Sequence, residues 1–158
     1  MANNLSVKLA QNNYKMLCAM LDEKKWKYEK EEEKLSINCT ARGDDLPMDI
    51  IIKFNTDMEI VSLFSPMPFT VPDDKRNDLA IAISRANYNM VDGSFDYSYT
   101  KGRIVFRLTA SYSNCLLSKD MYEYMLLVSC STIDAYNDKF LAICKKDMSV
   151  EEILNLIK

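Results

Sequence analysis

The sequence feature that most constrains the fold is the alternation of apolar and polar side chains over residues 95–112, on both sides of Lys101-Gly102. A period of two is typical of strands that bury one face, so this segment predicts a β-hairpin with a hydrophobic layer against one side. With Lys101-Gly102 as a two-residue turn, the apolar side chains are predicted to pair as Tyr99 with Ile104, Tyr97 with Phe106 and Phe95 with Leu108. The opposite face then places Asp96 across from Arg107, so the register also pairs opposite charges.

Further strands are predicted upstream of this hairpin. Two of them are expected over residues 27–31 and 35–42. Residues 48–64 predict a second hairpin with Thr56-Asp57 as its turn, a register that places Ile52 opposite Val61. Residues 65–72 contain three prolines and predict a connecting arm, because proline cannot donate a hydrogen bond to a sheet.

Two helices are predicted to flank the first strands. The first carries an apolar stripe with the i, i+3, i+4, i+7 spacing of a helix and ends near Lys24. The stripe consists of Tyr14, Leu17, Cys18 and Leu21. The second helix begins near Pro72, with Asp73-Asp74 in its first turn, and Gly93 is predicted to stop it.

A third, long helix is predicted after the hairpin, with Ser118 as its N-cap and Lys145-Lys146 at its end. It carries two apolar stripes. One is expected to cover the sheet, and the other is expected to be covered by another helix or by another molecule. The first stripe contains Tyr122, Leu126, Ile133, Tyr136, Phe140 and Ile143, and the second contains Met121, Met125, Val128, Thr132 and Ala135. Ser149 and Glu152 form a capping box that predicts a last helix over 149–157.

Composition and charge argue against several functional classes. A chain of 158 residues predicts a single domain, 1–158, and a net charge of −3 argues against broad binding to nucleic acid. No apolar segment approaches the ~20 residues of a membrane span, and residues 1–13 lack a signal-peptide core, so a cytoplasmic location is expected. The charged run 29–34 predicts a solvated surface or, alternatively, a docking patch for a basic partner.

Few residues are suited to catalysis or metal binding. The chain has no histidine, and its three glycines are isolated, so no phosphate-binding glycine loop is predicted. The five cysteines are predicted to be reduced and packed as small apolar side chains: Cys18, Cys39, Cys115, Cys130 and Cys144. The carboxylate pairs Asp44-Asp45 and Asp73-Asp74 are explained by turn and helix-start positions. We therefore expect no enzyme activity, no metal and no cofactor, with a histidine-free carboxylate activity as the residual alternative.

The segment 66–107 carries a resemblance to a known family. Its features are Val71-Pro72 before the second helix, Asn87 near the end of that helix, Gly93-x-Phe95 at the next strand and Gly102 in the turn. Together with the element order, these features resemble the YbjN-type domain, a family described as bacterial sensory-transduction regulators. The resemblance covers about residues 10–145 and leaves the last helix as an extension.

The resemblance implies a type III secretion chaperone-like α+β fold. In such a fold a twisted antiparallel sheet of about five strands packs against helices, here in the order α-β-β-β-β-α-β-β-α-α. It also implies homodimerisation and the binding of another protein without turnover of a substrate. It supplies no catalytic residues.

Two functional hypotheses follow. The leading one is a non-enzymatic, chaperone-like interaction or regulatory module whose flexible methionines and neighbouring tyrosines contact a partner protein. The candidate surface consists of Met16, Met20, Met121, Met125, Tyr122 and Tyr136, although these methionines are better explained as core residues. The alternative is a small-ligand sensor with a pocket between sheet and helices, lined by Tyr97, Tyr99 and Tyr112.

Overall fold

Six alternating segments pair into one antiparallel sheet in a computed structural model that describes residues 4–158, apart from the side chain of Asn89. The strands are β1 (Tyr28–Glu31), β2 (Ser36–Arg42), β3 (Pro47–Asn55), β4 (Ile60–Pro66), β5 (Ser94–Ser98) and β6 (Arg103–Ser111). Their order across the sheet is β1-β2-β3-β4-β6-β5, so β1 and β5 are the edge strands. The α+β class is confirmed, with six strands where about five were expected.

Within residues 4–158, four α-helices complete the fold in the predicted element order. They are α1 (Asn4–Glu23), α2 (Arg76–Asn89), α3 (Lys119–Lys145) and α4 (Val150–Leu156). The long helix is unbroken, and the Ser118 hydroxyl accepts from the amide of Met121 as a helix N-cap. The capping box of Ser149 and Glu152 is present at the start of α4.

The helices cover one face of the sheet and leave the other uncovered. Strand residues buried beneath α1, α2 and α3 occupy alternate positions, as in β3, where they are Met48, Ile50, Ile52 and Phe54. The intervening positions, such as Asp49 and Lys53, point away from the helices and are exposed. The core is therefore a single layer between the sheet and the helices. No helix within residues 4–158 is long and apolar enough to cross a bilayer.

The first long hairpin differs from the predicted register by two residues. Ile52 lies opposite Leu63 and not opposite Val61, because the loop has four residues, 56–59. The Asn55 side-chain carbonyl accepts from the amides of Asp57 and Met58 at 3.1 and 2.9 Å, which opens a wider turn.

The second hairpin shows the same two-residue difference. Phe95 lies opposite Phe106 and Tyr97 opposite Ile104, so the loop is 99–102 and the predicted two-residue turn is wrong. A shift of two keeps the side chains of the paired strands on their predicted faces, but Tyr99, predicted to face Ile104, lies in the loop and is 48% exposed. Arg107 accordingly still reaches Asp96, now as a diagonal neighbour, through hydrogen bonds of 2.6 and 3.1 Å.

Gly93 does not stop the second helix. Helix α2 ends at Asn89, and Gly93 lies just before β5 with φ of +77°. A Cβ at this position would lie 2.4 Å from the Cζ of Phe106, so the glycine permits close contact between the chain and the core.

A buried asparagine connects helices α1 and α3. The Asn13 side-chain amide donates to the carbonyls of Leu9 and Cys115 at 3.1 and 3.0 Å. Its oxygen accepts from the amide of Leu117 and the hydroxyl of Tyr122, both at 2.9 Å. All four hydrogen-bonding positions of the amide are satisfied, as a fully buried polar group requires.

Helix α4 packs against α2 at the end of the molecule. Ile153 in α4 and Ile157 just after it are fully buried, and just before the helix Asp147 forms an ion pair with Lys75. The Lys75 side chain is largely buried, whereas that of Asp147 is exposed. One ion pair and two isoleucines therefore hold this helix against the rest of the fold.

Candidate interaction surface

The four methionines of the predicted surface lie in or against the core. Met20 and Met125 are buried, and Met16 and Met121 are half-buried and packed against the core cluster. Only Met16 and Met121 therefore retain area for contact with a partner. Whether they bind one stays a prediction.

The two tyrosines predicted beside them are also largely occupied. Tyr122 is buried and donates its hydroxyl hydrogen to Asn13. Tyr136 is half-buried, and its ring centroid lies 5.8 Å from that of Phe140 and 5.5 Å from that of Phe95. Burial raises the pKa of Tyr122, so its hydroxyl stays protonated and acts as a structural hydrogen-bond donor.

A different group of apolar side chains is exposed on the outer side of the helices. It consists of Tyr88 at the end of α2, Val91 in the following loop, and Tyr124 and Leu127 on α3, which are between 45% and 96% exposed. We call these four residues the helix patch. Tyr88 lies nine residues after the buried Leu79, which on a helix is half a turn away from the core face. Helical spacing is therefore the sequence signal that could have placed Tyr88 outside the core.

The loop and α3 are joined within the helix patch. The Tyr124 hydroxyl donates to the Asp92 carboxylate, next to Val91 in the chain. This hydrogen bond raises the pKa of Tyr124. Leu127 lies three residues from Tyr124, close to one helical turn, so their side chains are neighbours on the same face. The patch thus contains exposed apolar side chains of the loop and of α3, and the hydrogen bond of Tyr124 joins these two segments.

The tyrosines of the predicted ligand pocket do not converge. Tyr97 and Tyr99 lie together, with ring centroids 6.3 Å apart, and donate to the Arg76 carbonyl and the Asn77 side chain at 3.4 and 3.1 Å. Tyr97 pairs with Ile104 on β6, and Tyr112 lies eight residues after Ile104. At the rise of a strand, Tyr112 is therefore about 26 Å from Tyr97.

Tyr112 has a structural role at its own end of the sheet. Its hydroxyl donates to the Asn55 carbonyl at 2.9 Å, and its ring packs against Phe54 with centroids 5.7 Å apart. Burial raises the pKa of Tyr112 to about 12, so the hydroxyl remains a donor at physiological pH. The structure therefore brings two of the three predicted pocket tyrosines together and separates the third.

The five cysteines are free, and all but Cys115 are buried or half-buried. Four have thiol pKa values raised chiefly by burial: Cys18, Cys39, Cys130 and Cys144. For Cys39 the value reaches about 11, so the thiol is protonated and a weak nucleophile. Cys115 is exposed, contrary to the prediction that all five pack in apolar surroundings. In the described part of the chain, no group of three His, Cys, Asp or Glu side chains is placed to hold a metal.

Comparison with known proteins adds to this geometry. No family model and no curated protein matches the sequence. Among solved structures, the chain matches YbjN from E. coli, described as a candidate transcription regulator, with a TM-score of 0.56. The fold is YbjN-like. The match covers 84% of this chain and 89% of that chain at 12% sequence identity, so YbjN supports the architecture alone.

Proposed function

We propose that this chain is a non-enzymatic protein-interaction module and that the helix patch carries the contact. The observation behind the proposal is that Tyr124, which is exposed on α3 together with Leu127, donates to Asp92 beside the exposed Val91. Exposed apolar side chains that lie together are typical of protein-binding surfaces, and aromatic residues are enriched there. The description of the YbjN neighbour as a candidate regulator is in keeping with a binding role.

The partner proposed for this surface is a second copy of the chain. The resemblance to the YbjN-type domain implies dimerisation, and a two-fold contact uses the same patch on both copies. In such a contact Tyr124 and Leu127 of one copy pack against the same patch of the other, and Val91 extends the buried area. An apolar patch that is self-complementary needs no opposite charge on the partner.

The mass of the purified chain in solution tests this proposal. We expect light scattering to give twice the chain mass, and the double variant Val91→Asp with Leu127→Asp to give the monomer mass, because burying carboxylates in an apolar contact is unfavourable. Leu5→Asp is the matched control, since Leu5 is an exposed apolar residue of α1 outside the patch. It should remain dimeric.

A monomeric mass at every concentration would contradict the second copy as partner. Affinity capture with quantitative mass spectrometry then tests the wider proposal of a protein-interaction module. A binding role requires a protein that is recovered by the wild type and by Leu5→Asp but lost with the double variant. If all three chains recover the same proteins, the helix patch has no binding role.

A further inference from the structure

The uncovered face of the sheet contains a groove whose lining is apolar and cationic. It measures about 700 Å³ and is open to solvent along the sheet surface. We call it the sheet groove, and its principal residues are Lys53, Met58, Ile60, Ser62, Phe64 and Arg107. It lies on the side of the sheet opposite the helix patch.

Strand pairing fixes the layout of the sheet groove. Phe64 lies in the central strand β4, opposite Ile51 on one side and Arg107 on the other. Ser62 lies two residues away on the same strand, directly opposite Lys53. Lys53 and Phe64 are therefore offset by two residues along the strand direction, which is about 6.6 Å.

The charge of the sheet groove is opposite to that of the whole chain. Among the described residues, its lining includes two basic residues and no carboxylate, although the chain has 23 acidic and 20 basic residues. Arg107 is partly neutralised by its hydrogen bonds to Asp96. Lys53 is exposed and forms no ion pair among the described residues, although its charge helps to lower the pKa of Glu31. Lys53 is therefore the cation available to a ligand.

The shape of the groove favours a polypeptide over a small molecule. Sites for small ligands enclose most of the ligand surface, whereas this groove is open along its length. An extended chain presents every second side chain to the same side, at the spacing of Phe64 and Ser62. A peptide lying along β4 thus matches one apolar residue to Phe64 and one acidic residue to Lys53.

We propose that the sheet groove binds an extended segment of a partner protein in which an apolar residue and an acidic residue lie two positions apart. The apolar side chain packs on Phe64, and the carboxylate lies beside Lys53. Met58, which is 66% exposed in the loop between β3 and β4, closes one end of the groove. This inference rests on the proposed role as a protein-interaction module and gives the chemistry of the partner segment.

Fluorescence anisotropy with short labelled peptides tests the inference on the full chain. The probe places leucine and glutamate in turn at every second position, with serine between them. We expect this probe to bind, and a peptide of the same composition with leucine and glutamate adjacent to bind more weakly. A peptide with lysine in place of glutamate should also bind more weakly, by about fivefold, the scale of one exposed ion pair.

Variants of the chain locate the binding. Lys53→Glu should weaken binding of the glutamate probe about fivefold and strengthen binding of the lysine peptide. Lys15→Glu, the same charge change at an exposed lysine of α1, should change neither affinity. Phe64→Ser should weaken both peptides, with circular dichroism to confirm that each variant is folded.

Three outcomes would overturn the inference: no binding by the wild type, equal binding of the three peptides, or equal effects of Lys53→Glu and Lys15→Glu. Binding of the probe that is lost with Val91→Asp and Leu127→Asp, but kept with Lys53→Glu, would also overturn it. Conversely, a chain that stays monomeric yet binds the probe through Lys53 contradicts only the proposed dimer. The two proposals therefore fail in separate experiments.

Discussion

At the scale of single residues, the buried amide of Asn13 links parts of the chain that are far apart in sequence. It makes four hydrogen bonds, one within α1, two to the loop after β6 and one to α3. Because it is fully buried, removal of the amide leaves several backbone groups without a partner and without access to water. The helical stripe of the sequence predicted the apolar neighbours Tyr14 and Leu17 but not this polar residue among them.

We expect Asn13→Ala to lower the free energy of unfolding by about 3 kcal/mol, because the backbone groups it bonds stay buried and unpaired. Urea denaturation of the purified chain measures the change. Asn12→Ala is the matched control, since Asn12 is exposed on the same helix, and its effect should be close to zero. An equal effect of the two substitutions would contradict the structural role of Asn13.

At the scale of secondary-structure elements, the side chain of Asn87 protects the free edge of the sheet. Its amide donates to the carbonyl of Phe95 at 3.0 Å, and its oxygen accepts from the amide of Phe95 at 2.8 Å. These are the backbone groups that an additional strand would use at the edge strand β5. One side chain of α2 thus takes the place of a strand neighbour.

We expect Asn87→Ala to destabilise the fold by about 1 kcal/mol and to increase self-association through β5, because two edge groups lose their partner. Urea denaturation and light scattering measure the two effects. Asn87→Asp keeps an acceptor for the Phe95 amide and should have an intermediate effect. Ser84→Ala, at an exposed position of the same helix, serves as control. If Asn87→Ala leaves both stability and mass unchanged, the edge needs no such protection.

The attachment of α4 should depend on pH through Asp147. The hydrogen bond and charge of Lys75 lower the pKa of this carboxyl below its ordinary 3.8. A carboxyl with a lowered folded-state pKa stabilises the fold above its unfolded pKa, and this contribution is lost as the pH falls through the lowered value. Packing of α4 should therefore weaken in acid, below about pH 4.

NMR chemical shifts of Ile153 and Ile157 measure this loss. In the wild type we expect these shifts to move as the pH falls below the pKa of an ordinary aspartate. In Asp147→Asn we expect them to be displaced already at neutral pH. Glu33→Gln removes one carboxylate at an exposed site and should reproduce the wild-type titration. Identical titrations of Asp147→Asn and the wild type would show that the ion pair does not hold α4.

The hairpins show how far an alternating pattern determines the structure. Alternation fixes which side chains face the core, and apart from Tyr99 the predicted faces of both hairpins are confirmed. The same pattern is unchanged by a shift of two residues, so it does not fix the register. The register depends on the loops, and the side-chain carbonyl of Asn55 together with the left-handed backbone of Glu59 sets a four-residue loop that alternation does not encode.

At the scale of the whole molecule, the candidate surface was less predictable than the fold. The methionines of the candidate surface on α1 and α3 repeat at a spacing that fits both an exposed contact surface and a buried core. Helix α3 packs against both α1 and α2, and Met20 and Met125 become buried as a result. The helix patch, in contrast, joins a loop to α3 through Asp92 and Tyr124, a contact that is absent from any local pattern.

The uncovered side of the sheet has a consequence for valency. If two copies join through their helix patches, their sheets face outward on opposite surfaces of the pair. Each pair then presents two identical grooves that open in opposite directions. A partner with two acidic-apolar segments joined by a flexible linker would occupy both grooves of a pair, and would bind more tightly than either segment alone. Of a partner with one segment, each pair would bind two molecules.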